Sequence, residues 1–205
     1  MAEIRALFWD VGGVLLTNAW DHDERDHAVE HFHLDKAEFE THHKELVPLF
    51  EEGRLSLDEY LDHAVFYQPR DFKPEDFKRL MFSLSQPKPA ALEIARSLSG
   101  KYQMSTINNE SRELNLHRIQ TFSLDDCFDV FVSSCFVGIR KPEEGIYRLA
   151  LDLTQQAPER CCFIDDRPVN IEAATKVGMQ TVLMRDPAQL RRDLQALGVK
   201  LLVET

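Results

Sequence analysis

From residue 86 onward, short apolar runs alternate with longer amphipathic ones. PAALEIARSLSG reads as a helix that ends on Gly100, and YQMSTI as a strand that stops at NNES. SRELNLHRIQTF is a second helix and VFVSS the next strand; KPEEGIYRLALDLT and CCFIDD repeat the pair. RPVNIEAATKVG then reads as a helix closed by Gly178, and QTVLM as a strand. One more apolar run, residues 4–16, opens the chain as a buried strand interrupted by Gly-Gly. Strands alternating with helices of this length predict right-handed βαβ units, and so an α/β fold with a doubly wound parallel sheet.

The stretch between the first strand and that alternation has another character. It is rich in His, Glu, Asp and Phe at helical spacing, with breaks expected near Pro48, Gly53, Pro69 and Pro74. Ser56 followed by Glu59 has the spacing of a capping box. Residues 17–85 therefore read as a small helical insertion, with residues 1–16 and 86–205 forming the α/β core. Seven of the eight histidines lie between His22 and His63, in no recognisable metal-ligand pairing, and are read as solvated helix-face residues. Trp20, the histidines from 22 to 43 and Phe50 could line a pocket, although helix packing accounts for the aromatics equally well.

Composition narrows the function. At 205 residues, 43% hydrophobic and 29% charged, the chain has ordinary globular composition and enough length for a full core. A net charge of −11 disfavours nucleic acid and anionic membrane surfaces as partners. No apolar run approaches the roughly 18 residues of a membrane span, and MAEIRALFWD lacks the pattern of a signal peptide, which predicts a cytoplasmic protein. Cys127, Cys135, Cys161 and Cys162 fit no zinc spacing and are read as core residues.

In open α/β sheets, ligands sit at the carboxyl ends of the strands. Those ends carry Asp10, then Asn108 and Asn109, then Lys141 shortly after a strand, then Asp165 and Asp166. Asp and Asn also cap helices, which accounts for any one of these but poorly for the set. Carboxylates brought within a few ångströms repel unless a cation lies between them. A hard cation accepting carboxylate, carbonyl and water oxygens, and meeting a phosphate, is Mg²⁺. One carboxylate, Asp10, is then free to act as a nucleophile, with Lys141 neutralising phosphoryl oxygens. Backbone amides freed by Gly12 and Gly13 can approach a ligand closely.

FWDVGGVL, STINNE, RKPEEGIY and FIDDRPVN resemble the four ordered motifs of the haloacid dehalogenase superfamily of phosphohydrolases. The resemblance covers the whole chain and is nearest to the small phosphatases that include bacterial glucose-1-phosphate phosphatases and the phosphatase domain of soluble epoxide hydrolase. It implies a Rossmann-like core with residues 17–85 as a helical cap. It also implies a small phosphorylated substrate and an aspartyl-phosphate formed on Asp10. Mg²⁺ would be held by Asp10, the carbonyl of Gly12 and Asp166, with Asp165 behind Asp166 or in its place. Gly12, Gly13, Asn108, Asn109 and Lys141 would meet the phosphate, and Asn170 would order the metal loop.

Two positions depart from the family pattern. Gly12 stands where such phosphatases carry an acid that protonates the leaving group, a role typically worth about 10²–10⁴ in rate. Ile107 stands where Ser or Thr precedes Asn108, and Ser105 or Thr106 could replace it only if the strand end bulges. The main alternative is a catalytically weak member that binds a phosphorylated metabolite or partner. A 2-haloacid dehalogenase is less consistent with the paired acids of IDD, and a phosphomutase would depend on the missing acid.

Overall fold

The computed structural model describes residues 2–201. Five parallel strands, β1 (Ala6–Trp9), β2 (Gln103–Asn108), β3 (Val130–Ser133), β4 (Cys161–Asp165) and β5 (Gln180–Leu183), lie in the order β3-β2-β1-β4-β5. Between β1 and the rest come α1 (His22–His31), α2 (Lys36–Glu51), α3 (Leu57–Ala64) and α4 (Pro74–Ser83). The helices of the α/β part are α5 (Pro89–Leu98), α6 (Arg112–Thr121), α7 (Ser134–Val137), α8 (Glu144–Thr154), α9 (Pro168–Lys176) and α10 (Pro187–Ala196).

β1 is central, with Leu7 opposite Met104 on one side and Cys162 on the other. Its side chains alternate between two cores. Leu7 and Trp9 pack with Leu92 and Ala95 of α5 and Leu190 and Leu194 of α10; Ala6 and Phe8 pack with Ile146 and Tyr147 of α8 and Ala174 of α9. Both faces are covered, which is why these strands read as unbroken apolar runs. All four cysteines are free and buried, as expected of packing residues. Among the described residues no helix is long and apolar enough to cross a membrane.

Three expectations need correction. The first strand is not residues 4–16 but Ala6–Trp9. Gly13 sits at φ +74°, and the amides of Leu15 and Leu16 turn back to the carbonyl of Val11. Val11, Val14, Leu15 and Leu16 are apolar because that turn is itself buried in the core. α2 runs through Pro48 without a break. The lost backbone donor costs one helical bond, and burial of Phe39, His43 and Phe50 along one face offsets it. Phe50 stacks on Tyr60 at 4.3 Å. The helix stops instead at Gly53 (φ +69°), where a Cβ would lie 2.2 Å from the carbonyl oxygen of Cys135. Finally, α7 and α10 lie outside the elements read from the sequence, although Asp186 caps α10 by accepting from the Gln189 amide. The expected capping box at Ser56 and Glu59 forms.

The inserted helices have their own core, including Ala28, Phe39, Tyr60, Leu61, Phe77 and Met81, against which Leu114 of α6 also packs. The chain enters and leaves this unit side by side. The Thr17 amide bonds to the Gln86 carbonyl, and the Lys88 amide to the Leu15 carbonyl. Arg118 locks this junction from α6. It donates to Glu110 at 2.7 Å and to the Thr17 carbonyl at 2.6 Å, with both charged side chains buried. Removing one partner of such a pair leaves an uncompensated buried charge. We expect Arg118→Met to lower unfolding free energy by about 3–5 kcal/mol in chemical denaturation. The double variant Arg118→Met/Glu110→Leu should recover most of the loss. A single variant as stable as wild type would contradict the role given to this pair.

Candidate active site

Parallel strands in register put their ends side by side. Trp9 pairs with Ile164, so the next residues, Asp10 and Asp165, emerge together at the carboxyl edge of the sheet. Lys141, in the loop before α8, reaches between them. Its Nζ lies 2.8 Å from Asp10 Oδ1 and 2.7 Å from Asp165 Oδ2. Asn109, just beyond β2, clamps the lysine backbone: its Oδ1 accepts from the Lys141 amide at 2.8 Å and its Nδ2 donates to the Lys141 carbonyl at 2.9 Å. All three charged groups are buried. Burial pushes the Asp10 carboxyl up to about 7, against the pull of Lys141. Burial would also lower Lys141, but Asp10 and Asp165 outweigh it and hold the ammonium above the usual lysine value.

Oxygens of Asp10, Asp165 and Asp166 lie within 4.8 Å of one another. The three are not equivalent. Asp165 is fully buried and already surrounded by donors: Lys141 Nζ, the Arg167 amide at 2.7 Å, and Asn170 Nδ2 at 3.0 and 3.1 Å to its two oxygens. Asn170 is in turn held by Tyr147, whose hydroxyl donates to its carbonyl at 3.2 Å. Asp166 Oδ1 is buried and has no partner among the described residues. Burial, then the neighbouring Asp165, raise its pKa. An orphaned carboxylate oxygen beside two further carboxylates is the donor set of a hard divalent cation, with Asp10 and Asp166 offering ligands and Asp165 committed to the protein.

The glycines divide the work differently from the sequence reading. Gly13, at φ +74°, is the position that must lack a side chain, since a Cβ there would lie 2.0 Å from Asp166 Oδ2. Gly12 lines the cavity outside the left-handed region, and a Cβ on it would meet nothing closer than 3.5 Å. Asn108 also departs from its expected place against the phosphate. It is buried, donates to Asn115 at 3.0 Å and accepts from Ser133 at 2.9 Å, and it is not among the residues that line the cavity. β2 pairs with β3 in regular register up to Asn108. With no bulge, the Ser105 and Thr106 hydroxyls stay buried and unpartnered and do not reach the site.

A cavity of about 660 Å³ opens from Asp10, Gly12, Asn109 and Lys141 towards α1 and α2. Sequence reasoning named Trp20, His22, His43 and Phe50 as possible pocket residues but missed Glu40, Lys44, Val47 and Glu51, which line it with His43 at helical spacing along α2, a signal hidden by the break expected at Pro48. His43 is buried rather than solvated; Trp20, His22 and Phe50 line the cavity as well. Two arginines adjacent to site residues tie the α/β part to the inserted helices: Arg140 pairs with Glu51 at 3.0 Å, and Arg167 pairs with Asp21.

Against known proteins, a family model described as haloacid dehalogenase-like hydrolase matches residues 4–178. Rat bifunctional epoxide hydrolase 2 is 40% identical over 72 residues, 35% of this chain but only 13% of that protein. The glyceraldehyde 3-phosphate phosphatase of Pyrococcus furiosus is 24% identical over 207 residues, covering 95% of this chain and 86% of that one. In structure, a HAD family enzyme from Bacteroides thetaiotaomicron, solved in complex with magnesium and inorganic phosphate, superposes with a TM-score of 0.73 at 19% identity, over 89% of this chain and 94% of that one.

The crowded carboxylates make a prediction for the metal-free protein. A carboxyl whose folded pKa lies above its unfolded one stabilises the fold at low pH, and that contribution is lost as pH rises through the folded value. Asp10 and Asp166 are both raised, so metal-free stability should fall as pH climbs from about 4 towards about 7. Asp166→Asn should melt above wild type at pH 7.5 without metal, and the gap should close as pH is lowered towards 4. Thermal melts across that range check it; a gap that is absent, or constant with pH, would count against the crowding.

Proposed function

The chain belongs to the haloacid dehalogenase-like hydrolases, and on that footing we propose that it is a Mg²⁺-dependent phosphatase of a small phosphorylated metabolite, working through a phosphoryl group carried on Asp10. The observation that carries this reading is the orphaned Asp166 oxygen beside an Asp10 whose Oδ1 is already held by Lys141 and the Val11 amide. The names of the Pyrococcus furiosus relative and of the magnesium and phosphate complex support it. A dehalogenase would leave the Asp166 oxygen without a task.

Asp10, the Gly12 carbonyl and Asp166 would hold the metal, with Asp165 and Asn170 ordering the loop behind. When bound, the cation neutralises the carboxylates and the phosphoryl oxygens and lets an anion approach. Asp10 attacks phosphorus, the bond to the leaving oxygen breaks, and that oxygen departs as the anion and takes its proton from solvent water. Water then attacks the phosphoryl group on Asp10, releasing phosphate and restoring the carboxylate. Lys141 stays charged throughout, holding Asp10 in line and offsetting the charge on the transferred group. Asn109 acts through the backbone of Lys141. The inserted helices serve as the cap over the leaving group.

Asp10→Asn keeps the shape of the carboxyl but removes the nucleophile. It should lower Mg²⁺-dependent turnover of p-nitrophenyl phosphate by at least about a thousandfold while the circular dichroism spectrum remains that of the folded protein, and EDTA should silence wild type equally. Substantial turnover by the variant, or turnover by wild type in EDTA, would refute the mechanism.

Gly12 bears on the leaving group. With no acid at that position, expulsion of a basic alkoxide goes unassisted, at a cost of up to about 10²–10⁴ in rate. Esters with a stabilised leaving oxygen, such as aryl or anomeric phosphates, lose less. We expect kcat/KM for p-nitrophenyl phosphate well above that for glycerol phosphate, and Gly12→Asp to narrow the gap, the site having room for a Cβ. Equal rates on both esters in wild type would mean that another group supplies the proton.

A further inference from the structure

The cavity wall formed by α2 contains a histidine, His43, whose ring is held by two neighbouring side chains. The indole Nε1–H of Trp20 donates to the Tyr60 hydroxyl at 3.0 Å. An indole N–H can only donate, so that hydroxyl accepts and must point its own proton elsewhere. His43 Nδ1 lies 2.9 Å away. Burial drives the Tyr60 pKa upward, so the phenol keeps its proton. Among the described residues Nδ1 is the one acceptor paired with that hydroxyl, so satisfying the phenol proton places the ring's hydrogen on Nε2. That atom has no partner among the described residues, although His43 is only 6% exposed and lines the cavity.

One turn earlier on α2, Glu40 lines the same wall. Arg25 binds both of its oxygens, through Nε at 2.8 Å and Nη2 at 3.2 Å, leaving each oxygen a further lone pair. Four of the five N–H groups of Arg25 are engaged: besides the two on Glu40, Nη1 donates to the Trp20 carbonyl and Nη2 also meets His22 Nδ1. His43 and Glu40 thus offer a neutral donor and a carboxylate acceptor one turn apart, and the buried cation beside them is already paired with Glu40. Val47 and Phe50 add apolar surface on the same helix face. A hydroxyl both donates and accepts, and neighbouring hydroxyls on a carbon frame match a donor and an acceptor set one helical turn apart, with apolar contact for the C–H face.

We propose that His43 and Glu40 form a hydroxyl-reading pair, Nε2–H donating to and Glu40 accepting from adjacent hydroxyls of the leaving alcohol, so that the chain selects phosphate esters of polyhydroxylated alcohols. The proposal rests on the phosphatase reading above. His43 is a binding group here and not the missing acid. Burial, and then Arg25, push its pKa down to about 4, and the charged groups that face it, Arg25, Glu40, His22 and Asp21, leave it neutral at working pH. Tyr60 is the positioning residue that fixes the tautomer.

Two measurements test this. The first uses inactive Asp10→Asn protein with ¹⁵N-labelled histidine and Mg²⁺, so that it does not depend on turnover. Histidine NMR should show His43 as the Nε2–H tautomer, and Tyr60→Phe should release it to a mixture. Glucose 1-phosphate, glucose 6-phosphate or ribose 5-phosphate should shift the Nε2 resonance, while inorganic phosphate should not. An Nδ1–H tautomer, no shift with any of the three sugars, or shifts confined to 3-phosphoglycerate, whose carboxylate would seek the exposed Lys44 on the same wall, would overturn the proposal. The second measurement is kinetic. For the best of the three sugars, His43→Leu should raise KM about tenfold, the value of roughly one hydrogen bond, with kcat little changed. His43→Gln, which keeps an N–H, should recover part of the loss, and p-nitrophenyl phosphate should be hydrolysed by both variants within about twofold of wild type. Equal losses on both esters would reduce His43 to a structural residue. If wild type released phosphate from no ester at all, the phosphatase reading would fail on its own, and the NMR result would still decide the pair.

Discussion

A single ammonium holds the site together. Lys141 Nζ sits less than 3 Å from two buried carboxylates, and without it the ends of β1 and β4 would place like charges side by side in a dry environment. Carboxylates a few ångströms apart in low dielectric cannot all remain ionised unless a cation divides them. Lys141 supplies that charge on the side of Asp10 and Asp165, and it is fixed at both ends: at Nζ by the acids and at the backbone by Asn109. On the other side Asp166 faces an unanswered demand, its Oδ1 buried with no donor among the described residues. That asymmetry of one satisfied and one unsatisfied acid at adjacent positions is what the proposed mechanism uses, and a salt bridge alone would not need it.

The rest of the architecture serves that arrangement. The parallel register of β1 with β4 sets Asp10 beside Asp165. The close packing of Gly13 on Asp166 sets how near the two loops can come. The inserted helices then dock through the residues next to the site, Arg140 beside Lys141 and Arg167 beside Asp166, on Glu51 and Asp21. Each docking contact is one residue away from a group that meets phosphate or metal in the mechanism proposed. In that mechanism, binding over the leaving group and order in the reacting loops would be linked through short stretches of backbone.

Much of this was legible from the sequence, for definite reasons. Strand and helix runs differ in period, and the residues that stop the strands are polar, so the βα order and the cluster of Asp10, Lys141, Asp165 and Asp166 follow from pattern and topology alone. What could not be read depends on three-dimensional neighbours. An apolar run does not say whether it is a strand or a buried turn, hence the overlong first strand. Pro48 breaks helices on average, but the aromatic face of α2 overrides it. Two adjacent glycines look alike until one of them is seen to touch Asp166. Asn108 and Asn109 are likewise adjacent, and only the ends of β2 and β3 decide that one turns to Asn115 and Ser133 while the other clamps Lys141. The tautomer of His43 depends on a tyrosine and an indole from other segments, which no spacing rule connects.

The central claim is that Asp10 carries the phosphoryl group. Rapid acid quench during turnover of p-nitrophenyl phosphate in Mg²⁺, followed by mass spectrometry of the peptide containing Asp10, tests it directly. The account predicts an added mass of one phosphoryl group on Asp10, formed within the first turnover and lost on hydroxylamine treatment. Phosphate release in step with turnover, with no adduct on that peptide at any quench time, would contradict it.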